Sequence, residues 1–180
     1  MHPKQNTYDE FALEYGILVE KREEVGIEGD PIMPDFMKLL GDVSGLTVLD
    51  AGCGEGYLSR ILVERCANVT GIDISPRLIE LARAKDPGGK IDYRVADLSQ
   101  PLPAYANHFD LIASHLVLND VPDYQGFLRT LGTVAKPGGR LIFSINNPYS
   151  LIVRNHITDY FDTGKAHPYR GLAEGGVKVY

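Results

Sequence analysis

The sequence predicts an α/β protein built on a doubly wound, mostly parallel sheet. Three observations carry that expectation. From Thr47 onward short apolar runs alternate with segments of helical periodicity; four of those runs end on Asp50, Asp73, Asp97 and Ser114; and VLDAGCGEGYLSR, residues 48–60, passes from a strand through three glycines into a helix. Parallel neighbours need crossover connections, so this alternation puts helices on both faces of one sheet.

The elements follow in order. TYDEFALEYGILVEK places Phe11, Tyr15, Leu18 and Val19 on one helical face. Asp30 and Pro31 read as the cap and first turn of a second helix, with Ile32, Phe36, Met37 and Leu40 inward and Gly41 as its stop. The first strand is TVLD, and the helix after the glycines turns Leu58, Ile61, Leu62 and Cys66 inward. VTGID is the second strand. Ser75 and Pro76 then open a helix that buries Leu78, Ile79, Leu81 and Ala82. IDYRV is the third strand, a loop runs through Pro101 and Pro103, and FDLIAS is the fourth. A last helix carries Phe127, Leu128, Leu131 and Val134, the turn KPGG stops it, and RLIFSI is the fifth strand.

A chain of 180 residues suits one domain. With 44% hydrophobic and 23% charged residues it has the composition of a folded globular protein. The formal net charge of -6 and the lack of a basic stripe argue against nucleic acid as a partner. No run is long and apolar enough to cross a bilayer, and MHPKQNTYDE lacks the apolar core of a secretory signal, so the expected place is the cytoplasm, without membrane contact. The two cysteines, Cys53 and Cys66, form no CxxC and no ligand set with histidine, which predicts reduced thiols and no metal.

In a doubly wound sheet ligands bind beyond the carboxyl ends of the strands. Asp50 leads into Gly52, Gly54 and Gly56, a G-x-G-x-G loop opening a helix whose free N–H groups favour a carboxylate or phosphate. A dinucleotide loop expects G-x-G-x-x-G, and here Tyr57 stands at the third position. Asp73 follows about twenty residues after the loop, the spacing of a carboxylate that accepts from ribose hydroxyls; it would serve NAD or an adenosyl ligand alike, or else only cap the next helix. Asp97 can accept from an adenine amino group with Leu98 beneath the ring, or be a solvated loop aspartate.

VLDAGCGEGYLS, VTGIDIS, YRVADL, FDLIASHLVLNDVPD and VAKPGGRLIFSI, in order from Thr47 to Ile145, resemble the class I S-adenosylmethionine-dependent methyltransferases with their Rossmann-like sheet, in particular the type 11 branch rich in small-molecule enzymes. The resemblance implies S-adenosylmethionine as cofactor, S-adenosylhomocysteine as product and a small-molecule acceptor. It implies Asp50, Gly52, Cys53 and Gly54 around the methionine end, Asp73 and Ile74 at the ribose, Ala96, Asp97 and Leu98 around the adenine, and Ser114 beside the methyl group. Residues 1–45 then resemble a helical lid, in which Tyr8 or Tyr15 folds over the cofactor unless those rings pack into the core; residues 46–146 are the cofactor-binding core, and residues 147–180 an acceptor-side tail. His115 ends the fourth strand, where an imidazole either takes a proton from the acceptor or orients it, unless it only shapes the pocket.

NNPY, residues 146–149, lacks the second proline of an amino-methylating N-P-P-Y motif and follows the fifth strand rather than the fourth. His156 and His167 in the tail have no metal-ligand spacing. Class I enzymes add a sixth and a seventh strand, which residues 147–180 do not show, so the expectation is a truncated form or a second copy or partner covering the fifth-strand edge. Two alternatives remain open at this point: a methyltransferase-like module that holds cofactor or a partner without turnover, and an NAD-dependent oxidoreductase.

Overall fold

The computed structural model describes Tyr8 and residues 12–146. Strands β1 (Thr47–Ala51), β2 (Asn68–Asp73), β3 (Asp92–Val95), β4 (Phe109–His115) and β5 (Ala135–Ser144) form one sheet in the order β3-β2-β1-β4-β5, every pairing parallel. Helices α1 (Ala12–Gly29) and α2 (Met33–Leu40) precede it; α3 (Tyr57–Glu64), α4 (Pro76–Ala84) and α5 (Tyr124–Val134) connect β1 to β2, β2 to β3 and β4 to β5. The chain steps outward from β1 to β3 and then returns to the other side of β1 as β4. The carboxyl ends of β1 and β4 therefore flank the switch point, where such sheets open a crevice.

Alternation along the central strands builds both cores. Val48, Leu111 and Ala113 pack with α2, α3 and α4, while Leu49, Ala51 and Ile112 pack with Phe127, Leu131 and Val134 of α5. Strands buried on both faces read as continuous apolar runs, which is why they stood out in the sequence. At the opposite end of the sheet Asp110 accepts from the Thr47 N–H at 2.9 Å and from Lys136 Nζ at 2.8 Å, tying the starts of β1, β4 and β5 together.

Three local expectations are refined. The N-cap position of α2 is Ile32 rather than Asp30, although Asp30 accepts from the N–H groups of Ile32 and Met33 just ahead of the helix, and the proline in the first turn is Pro34 rather than Pro31. Cys66 lies past the end of α3, exposed and with φ +63, because the chain needs a left-handed residue there to turn into β2. KPGG is a bulge inside β5: Ala135 pairs with Phe109 and Arg140 with Leu111, so residues 136–139 stand opposite Asp110. The tail, residues 147–180, with His156, His167 and most of NNPY, lies outside the described residues, as do the side chains of Phe11, Tyr15 and Leu18.

Candidate functional site

After β1 the chain turns through Gly52–Gly56 into α3, held against the end of β2. The N–H groups of Gly52 and Cys53 both donate to the Ile72 carbonyl, at 2.8 and 3.1 Å, and the Gly54 N–H donates to Asp73 Oδ2 at 2.9 Å. Gly56 caps α3 with φ +86, and a Cβ there would collide with the Tyr93 hydroxyl. Gly71, paired with Tyr93 across β2 and β3, would place a Cβ 2.7 Å from the same ring. One aromatic side chain thus fills the space left by two glycines and supports the loop from below. The sequence reading gave Tyr93 no role, although a glycine inside a buried strand beside an aromatic neighbour is the signal that could have found it.

Two buried carboxylates lie behind this loop. Asp50 is 2% exposed and accepts from Ser59 Oγ at 2.6 Å, so it is turned toward α3. Burial pushes its carboxyl up to about 7, with the Asp73 charge adding to the rise and Ser59 opposing it. Asp73 accepts from the Gly54 N–H through Oδ2 and from the Ser75 N–H through Oδ1, and burial holds its carboxyl above the usual range despite those bonds. Burial, then the Asp50 charge, also raise the Cys53 thiol, which keeps it protonated and unsuited to nucleophilic work.

The remaining predicted residues divide. The Ala96 N–H donates to the Asp73 carbonyl, Asp97 is exposed and accepts from Ser99 N–H and Oγ at one oxygen, and Ile74 is half exposed beside Asp73. Leu98 is buried in the α5-side core beneath them. Ser114 is fully buried and its Oγ donates to the Ala51 carbonyl at 3.0 Å, a stitch across the switch point rather than a group turned to a ligand. His115 Nδ1 lies 2.8 Å from Ser144 Oγ, its ring centroid 4.9 Å from that of Phe36. Leu116 follows with φ +59, its N–H donating to both the carbonyl and Oγ of Ser144. The Tyr8 hydroxyl donates to Asp120 Oδ2 at 2.7 Å, which sets Tyr8 against the loop after β4. Tyr15 belongs to α1 by its backbone.

A carboxylate pair whose charged form is disfavoured by burial is stabilised by an incoming cation. Both Asp73 oxygens keep lone pairs after their backbone bonds, so a diol can share them. Asp97 carries no hydrogen bond at its second oxygen among the described residues. Together these groups suit a ligand with a cationic end, a ribose and an exocyclic amine, and they disfavour a pyrophosphate. Among the described residues no cluster of His, Cys, Asp and Glu could hold a metal ion, and no helix is long and apolar enough to cross a membrane.

A family model described as a methyltransferase domain matches residues 49–143. The ubiquinone biosynthesis O-methyltransferase of Xylella fastidiosa is 38% identical over 120 residues, 66% of this chain and 49% of that protein. An S-adenosylmethionine-dependent methyltransferase of known structure from Mesorhizobium loti is 36% identical with a TM-score of 0.64, covering 70% of this chain and 58% of that one. A Haloferax volcanii protein solved in complex with the Trm112 methyltransferase activator superposes with a TM-score of 0.67 over 84% of this chain and 67% of that one; at 22% identity it speaks for the fold alone. The chain spans about half the length of the curated relatives it matches.

Proposed function

The chain belongs to the methyltransferase-domain family, and from that premise we propose that it is an enzyme that moves a methyl group from S-adenosylmethionine to a small-molecule acceptor, leaving S-adenosylhomocysteine. The observation that carries this reading is the row of acceptors along the carboxyl ends of β1, β2 and β3: Asp50 and Asp73 buried with raised proton affinity around a glycine loop, and Asp97 exposed beyond them. The sulfonium supplies an already activated methyl carbon for in-line displacement. The protein's part is to align the acceptor and exclude water. Asp73 and Ile74 hold the ribose, Ala96, Asp97 and Leu98 frame the adenine, and the loop Gly52–Gly54 with Asp50 behind it receives the amino-acid end. Of the expected lid, residues 1–45, α2 instead packs in the core through Met33, Phe36 and Leu40; the segment before α2 acts as the lid, for which the Tyr8–Asp120 hydrogen bond is the supporting contact.

A hydroxyl acceptor is the first class to test, because the curated relatives are named O-methyltransferases. Titration calorimetry with S-adenosylmethionine, S-adenosylhomocysteine and NAD examines the cofactor. Binding of the first two and not of NAD is the expected result, and binding of NAD alone would overturn the reading. Cofactor binding without transfer to any hydroxylated acceptor would point instead to a module that holds the ligand without turnover.

His115 takes the acceptor's proton or orients it, held by Ser144 and Phe36. His115→Ala is expected to lower kcat roughly 100-fold, in the range of a lost general base, with KM for the cofactor nearly unchanged. An unchanged kcat would reduce His115 to shaping the pocket. The exposed thiol of Cys66 suits a reducing, cytoplasmic setting. Leu141 and Phe143 of β5, with Ile145 just beyond it, expose apolar surface beside the sheet edge on which a second copy or another covering segment would sit.

A further inference from the structure

We infer that Glu55 is a positioning residue that holds the glycine loop in the shape receiving the amino-acid end of the adenosyl ligand, an inference that rests on the reading just given. Glu55 lies between Gly54 and Gly56, both in the left-handed region, and is 1% exposed. A carboxylate buried this deeply inside a loop needs compensation, and here it comes from two helices. Lys85 Nζ, from the carboxyl end of α4, lies 2.6 Å from Oε2; Arg60 Nη2, from α3, lies 3.1 Å from the same oxygen and 3.3 Å from Oε1. Arg60 Nη1 also donates to the Glu55 backbone carbonyl at 2.7 Å. Both cations reach in from the surface, their side chains 25% and 21% exposed.

The loop is thereby gripped on two sides. Ile72 and Asp73 hold its inner N–H groups, and Glu55 ties its outer turn to α3 and α4. A segment with glycine at Gly52, Gly54 and Gly56 has little conformational preference of its own, so its shape must come from such ties. Ordering it before the ligand arrives removes an entropy loss from binding. The charges divide accordingly. The chain's own cations compensate Glu55, whereas the forces acting on Asp50 are burial, Ser59 and the neighbouring carboxylates, so Asp50 retains its demand for an external cation.

Titration calorimetry on the full chain, Glu55→Gln and Lys85→Met tests this, each protein held at a temperature where circular dichroism shows it folded. S-adenosylhomocysteine is compared with 5′-methylthioadenosine, which keeps the adenosine and thioether but has no amino-acid end. Both variants are expected to raise the Kd of S-adenosylhomocysteine roughly tenfold and that of 5′-methylthioadenosine about twofold or less, because only the first ligand needs the shaped loop. Parallel weakening of both ligands, the signature of a purely structural role, overturns the inference, as does unchanged affinity for both. Should Glu55→Gln fail to fold, the ratio in Lys85→Met decides. A wild-type chain that binds neither ligand overturns the adenosyl reading itself and this inference with it.

Discussion

Asp73→Ala is expected to abolish adenosyl-ligand binding and to destabilise the folded chain at once. The carboxylate serves two masters: its oxygens accept from the buried N–H groups of Gly54 and Ser75, and the same oxygens are those offered to the ribose diol. Removing it leaves two backbone donors without an acceptor, at about 1–3 kcal/mol each, and the loss of charge-assisted bonds to the ligand weakens affinity by on the order of 100-fold or more. Asp73→Asn is intermediate, because its single carbonyl oxygen satisfies one N–H while its amide faces the other. Urea unfolding and calorimetry on the two variants separate the effects. Lost binding at unchanged stability would mean that the loop is held without Asp73, and wild-type values for both would remove Asp73 from the site.

What the sequence showed follows from the physics of a doubly wound sheet. Central strands announce themselves as largely apolar runs, so Asp50 and Asp73 stand out at the carboxyl ends of β1 and β2. Asp97 was legible from its place after β3, in line with those two, and the cap formed by Ser75, whose Oγ accepts from the Leu78 N–H, from its Ser-Pro signature. The contacts that shape the site were not legible, because they join residues far apart in the chain. Tyr93 reaches the loop only through its pairing with Gly71, His115 meets Ser144 29 residues on, and Tyr8 meets Asp120 across 112. The sequence reading assigned Glu55 no role, since nothing local says that Lys85 will arrive beside it. KPGG misled for a different reason: proline and glycine signal a turn, but the Lys136–Asp110 ion pair and the Leu111–Arg140 pairing keep the segment in the sheet as a bulge.

Asp50→Asn is expected to make the chain more stable at alkaline pH and its ligand affinity worse. Burial holds the Asp50 carboxyl at about 7 in the folded state, whereas an unfolded chain loses that proton near pH 4. Between those values the folded state binds a proton that the unfolded state has lost, so this group makes stability fall as pH rises, by an amount on the order of 4 kcal/mol by pH 7 and no further above it. Asparagine keeps an acceptor for Ser59 Oγ and carries no charge to bury. The variant should therefore unfold at nearly the wild-type urea concentration at pH 4.5 and at a clearly higher one at pH 8. Some slope remains in both, because Asp73 is raised in the same direction. Equal midpoints at pH 8 would show that Asp50 is not a buried charge under strain. A carboxylate that lowers stability when ionised persists only if ionisation serves something else. A cationic ligand end near it would draw the proton off, so wild-type affinity should strengthen as pH rises toward 8 while the variant's stays weak and flat. Stabilisation together with lost affinity would place Asp50 in the site, and stabilisation with affinity intact would leave it a structural residue behind the loop.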